Sequence, residues 1–139
     1  MTMTIAIKSV EEIPNQLSIL FNHQSPTTIG VSGGSLPSLL GSKLSHLSTV
    51  HVFLCDERLV SLDSEDSNYR SVKEHLSKAL PKAIYYPLNT NLISDPLAAA
   101  QDYARQIGSV VKSEDGIPVF DLLFLGMGPD GISIYSSTL

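Results

Sequence analysis

At 139 residues, with 42% hydrophobic content and a mean hydropathy of +0.13, the chain is one folded domain or a piece of a larger one, not a disordered protein. A net charge of −5 without any cluster of Lys and Arg excludes the basic footprint that nucleic acid requires. Cys55 is the only cysteine, so no intrachain disulfide can form; no apolar run approaches the roughly 20 residues of a membrane span, and residues 1–8 lack a signal-peptide pattern, so a soluble cytoplasmic protein is expected.

In chain order, Ile5 to Ile7 reads as a first short strand. Ser9 to His23 reads as a helix with Glu11 and Glu12 in its first turn, where the helix dipole favours carboxylates, and with Pro14 near its start. Thr27 to Val31 is a strand. Ser35 to Leu47 spaces Leu36, Leu39, Leu40, Leu44 and Leu47 for one helical face. Val50 to Cys55 is a strong strand, and Ser67 to Leu80 a helix closed by Pro81. Ala83 to Tyr86 is a short strand. Asp95 caps a helix that has Pro96 at its first position and runs to about Val111. Ser113 to Pro118 reads as a plain helix-to-strand connection. Val119 to Leu125 is the most apolar run, expected at the centre of the sheet with both faces covered. Strands alternating with helices predict a parallel α/β sheet.

Three segments carry possible chemistry. Ser32-Gly33-Gly34-Ser35 sits between a strand and a helix, where glycines allow close backbone approach to an anion; a ligand-free glycine turn fits these four residues equally well. The segment lacks the Gly-Lys-Ser/Thr ending of a nucleotide-binding P-loop. Asp56-Glu57-Arg58 follows a buried strand, at the edge where parallel sheets bind ligands, and Arg58 offers a planar fork for phosphate or carboxylate. The plainer reading is a solvated loop with a local ion pair; its position favours a site. Gly126 to Gly131 spells Gly-x-Gly-x-x-Gly, but Pro129 stiffens it and no acidic residue stands about 20 positions on, which disfavours a dinucleotide fingerprint. A turn that aims Asp130 into a site is the better reading, against a purely structural Pro-Asp-Gly turn. None of His23, His46, His51 and His75 has metal-ligand spacing, and Cys55 reads as a buried strand residue.

Together the motifs resemble the 6-phosphogluconolactonase family. The matching residues are Ser32-Gly33-Gly34-Ser35-Leu36-Pro37, Phe53-Leu54-Cys55-Asp56-Glu57-Arg58, Ser67-Asn68-Tyr69 and Asp121 to Gly131. The resemblance ends near residue 131 and covers about the first half to three-fifths of a typical family member. It implies a Rossmann-like, three-layer α/β domain, here a single partial domain over residues 1–139 that is incomplete at its C-terminus. It implies hydrolysis of 6-phosphogluconolactone to 6-phosphogluconate in the pentose phosphate pathway, with a sugar phosphate as small-molecule partner and without metal or organic cofactor. Oligomeric state is encoded in no motif. By the same resemblance, Gly33, Gly34, Ser35 and Arg58 hold the substrate phosphate. Asp130 orients a general-base histidine, and Asp56, Glu57, Asn68, Gly128 and Gly131 are further site candidates. The family motif places that histidine where this chain has Ile132, so reduced or absent turnover is expected. A non-catalytic sugar-phosphate binder is the alternative from a different class.

Overall fold

The computed structural model describes residues 9–21, 26–47, 49–127 and 129. The expected strand at Ile5 to Ile7, His23 and the segment 130–139 lie outside them, as does Gly128.

Four strands form one sheet: β1 (Thr28–Val31), β2 (His51–Leu54), β3 (Ile84–Tyr85) and β6 (Leu122–Phe124). All three pairings are parallel, and the order is β3-β2-β1-β6. The helices are α1 (Ile13–Leu20), α2 (Leu36–Leu40), α3 (Asn68–Leu76) and α4 (Pro96–Gly108). Strand alternation sorts the side chains onto two faces. Ile29, Val31, Val52 and Leu54 point one way and are buried with Leu17 of α1, Leu40 of α2, and Val72 and Leu76 of α3. Phe53 points the other way, fully buried, stacked on Tyr86 with centroids 4.2 Å apart and edge-on to Tyr103 of α4 at 6.3 Å. Helices therefore cover both faces of a parallel sheet, the α/β architecture expected.

Local signals explain most element ends. Pro14 lies in the first turn of α1, where its missing N–H costs nothing. The Asp95 carboxylate accepts from Ala98 N–H at 3.0 Å, and Pro96 opens α4. Ser67 Oγ accepts from Arg70 N–H at 3.2 Å and caps α3.

Four expectations need correction. The helix expected from Ser9 begins as a 3-10 turn, Val10–Glu12, and α1 ends at Leu20. The leucine-rich run is not one helix: α2 stops at Leu40, Gly41 adopts φ 19 and ψ −120, and a 3-10 turn follows over Gly41–Leu44. Leu40, Leu44 and Leu47 are buried while Leu39 is 50% exposed. The supposed connection at Ser113 to Pro118 is an antiparallel hairpin, β4 (Lys112–Glu114) and β5 (Ile117–Val119). Asp115 and Gly116 turn it with φ of 51 and 80, the positive values a type I′ turn needs. Val119 consequently belongs to that hairpin, and β6 lies at the edge of the described sheet with Leu123 50% exposed. A hydrophobic run matches a central strand and a half-covered edge strand equally, because apolarity does not specify how many neighbours pair.

At the amino edge of the sheet, Asp121 ties β6 to β1. Its Oδ2 accepts from Thr27 N–H (2.8 Å), Thr27 Oγ1 (2.7 Å) and Thr28 N–H (2.9 Å). Burial alone would raise this carboxyl, but the hydrogen bonds from Thr27 and Thr28 outweigh it and hold its pKa below the ordinary range. A depressed folded-state value stabilises the fold above the unfolded-state pKa, and that contribution disappears as pH falls through the lowered one. Asp121→Ala is expected to cost about 1 kcal/mol at neutral pH, discounted for exposure. The difference between the two proteins in thermal melts should shrink towards acid pH.

Candidate functional site

The strand order fixes where a ligand can enter. From β1 the chain crosses to β2 on one side, and β6 enters on the other. The carboxyl ends of β1 and β6 therefore flank a topological switch point, the crevice where open parallel sheets bind ligands. Ser32-Gly33-Gly34-Ser35 leaves β1 at this crevice, and Ser32 N–H donates to Phe124 O at 3.0 Å. Gly126, just beyond β6, faces the start of α2: a Cβ there would sit 3.7 Å from Leu36 Cβ. The first and last motifs thus flank one crevice.

Gly34 takes φ +69, a conformation that side chains other than glycine rarely adopt. Gly33 is required for a different reason. A Cβ at that position would overlap Oδ1 and Cγ of Asn68. Asn68 opens α3, is 4% exposed, and donates from Nδ2 to the Asp56 carbonyl and to Asp56 Oδ2, both at 3.0 Å. The Ser-Asn-Tyr segment is in this way brought against the glycine loop.

The Glu57 carboxylate lies beneath the same helix start. Oε1 accepts from Arg58 N–H and Asn68 N–H, each at 2.8 Å, and Oε2 accepts from Tyr69 N–H at 2.6 Å. A carboxylate at a helix N-terminus satisfies unpaired amides and complements the dipole. Glu57 is therefore engaged by the protein itself. Arg58 is exposed at the same edge, and its Nη1 donates to Asp66 O at 3.1 Å. The structure places Gly33, Gly34, Ser35, Asp56, Glu57, Arg58 and Asn68 on this one edge; Gly128, Asp130 and Gly131 lie outside the described residues.

Two buried polar atoms beside the site, Ser32 Oγ and Asp56 Oδ1, have no oxygen or nitrogen hydrogen-bond partner among the described residues. Cys55 follows β2. Burial, and then the neighbouring Asp56 carboxylate, push its thiol up to about 11, against a smaller lowering effect of Ser32. It stays protonated at neutral pH and is no nucleophile. Among the described residues no group of three or more His, Cys, Asp or Glu could hold a metal ion. No described helix is long and apolar enough to cross a membrane.

Sequence reasoning missed Tyr103. Its hydroxyl accepts from Leu54 N–H at 2.8 Å, beyond the short pairing of β2 with β3, and donates to Tyr86 O at 3.2 Å. Burial pushes this phenol up to about 12, so it remains a neutral donor and acceptor. Only the helical phase of α4 could have hinted that Tyr103 faces the sheet. His51, expected to be structural, bonds through Nδ1 to Tyr86 Oη at 2.7 Å.

A parallel α/β sheet with a tight glycine loop and an Arg-bearing segment at its switch-point edge defines a class of small-ligand-binding α/β proteins. Residues 2–133 match the family of glucosamine-6-phosphate isomerases and 6-phosphogluconolactonases, and the chain belongs to that family. It is 38% identical to bovine 6-phosphogluconolactonase over 113 residues, covering 75% of this chain and 43% of the relative. The crystal structure of 6-phosphogluconolactonase from Thermotoga maritima superposes with a TM-score of 0.65 at 32% identity, over 89% of this chain and 56% of that one. For 6-phosphogluconolactonase from Trypanosoma cruzi the TM-score is 0.68 at 27% identity, over 93% and 60%. The chain thus spans about half the length of the relatives it matches.

Removing the Glu57 carboxylate would leave the Asn68 and Tyr69 amides at the start of α3, and the Arg58 amide, without their acceptor. Glu57→Ala should therefore lower stability by about 2 kcal/mol, within the range for a lost cap and unsatisfied donors. Urea unfolding of the two proteins measures the difference.

Proposed function

We propose that this chain is a 6-phosphogluconolactonase-type hydrolase whose site takes a sugar phosphate and opens its lactone ring. The observation that carries the reading is the meeting of the Gly33-Gly34 loop and the Arg58 segment at one sheet edge, in a chain whose relatives bear that enzyme's name. The amides of Gly33, Gly34 and Ser35 and the guanidinium of Arg58 hold the phosphate. Anchoring at the phosphate fixes the lactone carbonyl at the other end of the substrate, which is catalysis by positioning.

In the hydrolysis, water adds to the lactone carbonyl and the ring oxygen leaves as a hydroxyl, giving a carboxylate. A base must accept the proton of the attacking water. Family resemblance puts a histidine in that role, oriented by the carboxylate matching Asp130, and this chain carries Ile132 at the histidine position. Binding and base catalysis are therefore separable here. The single free thiol, Cys55, accords with a cytoplasmic setting.

The test is hydrolysis of 6-phosphogluconolactone, corrected for the spontaneous rate, by the chain and by its Ile132→His variant. The variant is expected to be faster by roughly 10²–10⁴-fold, the usual contribution of a general base. Arg58→Ala in the variant background should raise KM more than it lowers kcat, because the phosphate is bound in ground state and transition state alike. An Ile132→His variant with no turnover and no affinity for 6-phosphogluconate would overturn the assignment.

A further inference from the structure

The geometry points to Asn68 as a positioning residue that sets the glycine loop against the Arg58 segment, an inference that rests on the sugar-phosphate reading of the site. Its amide is buried at 4% exposure and wedged between three elements. On one side lies the loop after β1, so close to it that any side chain at Gly33 would overlap Asn68 Oδ1 and Cγ. On another lies the end of β2, gripped by two 3.0 Å bonds from Nδ2 to the carbonyl and carboxylate of Asp56. The third is α3, whose first residue Asn68 is.

Two of the three neighbours, the end of β2 and the start of α3, are tied to one another. The Asn68 backbone is held by its 2.8 Å bond to Glu57, and Glu57 also takes Arg58 N–H and Tyr69 N–H. Glu57 is thus tied to the residue that bears the guanidinium and to the helix that carries Asn68. Rotating the amide away would break both bonds to Asp56 inside the protein, where an unmade bond is most costly. Asn68 therefore acts as a spacer. It fixes the separation between the amides of Gly33 and Gly34 and the backbone of Arg58, the two halves of the phosphate cradle, before any ligand arrives. It touches no substrate in this role. Asp56 and Glu57, at first sight ligands, form the frame that holds the spacer.

A spacer and the glycine it presses on must share one volume, and a cycle of substitutions exposes that sharing. The affinity for 6-phosphogluconate and the melting temperature are measured for the chain and for Gly33→Ala, Asn68→Ala and the double variant. Each single change should weaken binding by about tenfold or more, the first by driving the loop off the amide and the second by releasing it. In the double variant the new methyl enters the vacated space, so affinity should recover relative to Gly33→Ala. Losses that simply multiply in the double variant would overturn the inference. So would melting that recovers without recovery of affinity, which marks a purely structural contact. If Gly33→Ala does not fold, Asn68→Ala decides alone: unchanged affinity overturns the spacer role, and a tenfold loss at a folded melting profile supports it. If the unmodified chain binds neither 6-phosphogluconate nor inorganic phosphate, the sugar-phosphate reading itself fails and takes this inference with it.

Discussion

The Glu57 carboxylate at the amino end of α3 is the contact on which the organisation of the site depends. The segment after β2 and the start of α3, 11 residues beyond Glu57, are joined by one side chain, which takes the amides of Arg58, Asn68 and Tyr69. An acidic residue there satisfies three amide donors and complements the helix dipole. This resolves an apparent conflict. A protein of net charge −5 with two carboxylates beside a proposed anion cradle should repel phosphate. Glu57 is consumed by helix amides, and Asp56 Oδ2 by the Asn68 amide. Both oxygens of Glu57 and one of Asp56 are held by local donors, and Arg58 stands exposed beside them.

The strand order extends the same logic to the whole sheet. With β1 between β2 and β6, the carboxyl ends of β1 and β6 lie side by side at the switch point. The amino edge is closed by Asp121, which binds Thr27 and Thr28 across β1 and β6. One edge is thus tied by side chains, and the other presents glycine backbone. Function concentrates at the edge where backbone amides are accessible, and stability at the edge where they are already paired.

Much of this was legible in the sequence where a single local cause decides the outcome. Asp95-Pro96 marks the start of α4, and Val50 to Cys55 is too apolar and β-branched to be anything but a strand. Pairing partners were not legible, because they depend on distant chain. The run ending at Leu125 looked central from its apolarity but lies at the edge of the described sheet. Asp115-Gly116 is a usable hairpin signal, but flanking strands of only three residues each give it little support in the sequence. Arg58, Gly33 and Asn68 could be named from motifs, but their mutual contacts could not. Nothing in a linear string says that the amide of residue 68 presses on the Cα of residue 33. Tyr103 is the extreme case: its role arises because β3 is too short to satisfy Leu54 N–H.

The division between cradle and base follows from how each is built. The cradle is made of backbone and a buried frame, so it is specified by many residues at once and tolerates no single omission cheaply. A general base would be one imidazole at one position, and an isoleucine there supplies no proton acceptor. Under the proposed function, Ile132 stands where the family motif has its histidine, while Gly33, Gly34 and Arg58, the residues proposed to hold the phosphate, are all present. Under that reading affinity and turnover would draw on different residues, and the frame around Asn68 would serve the first.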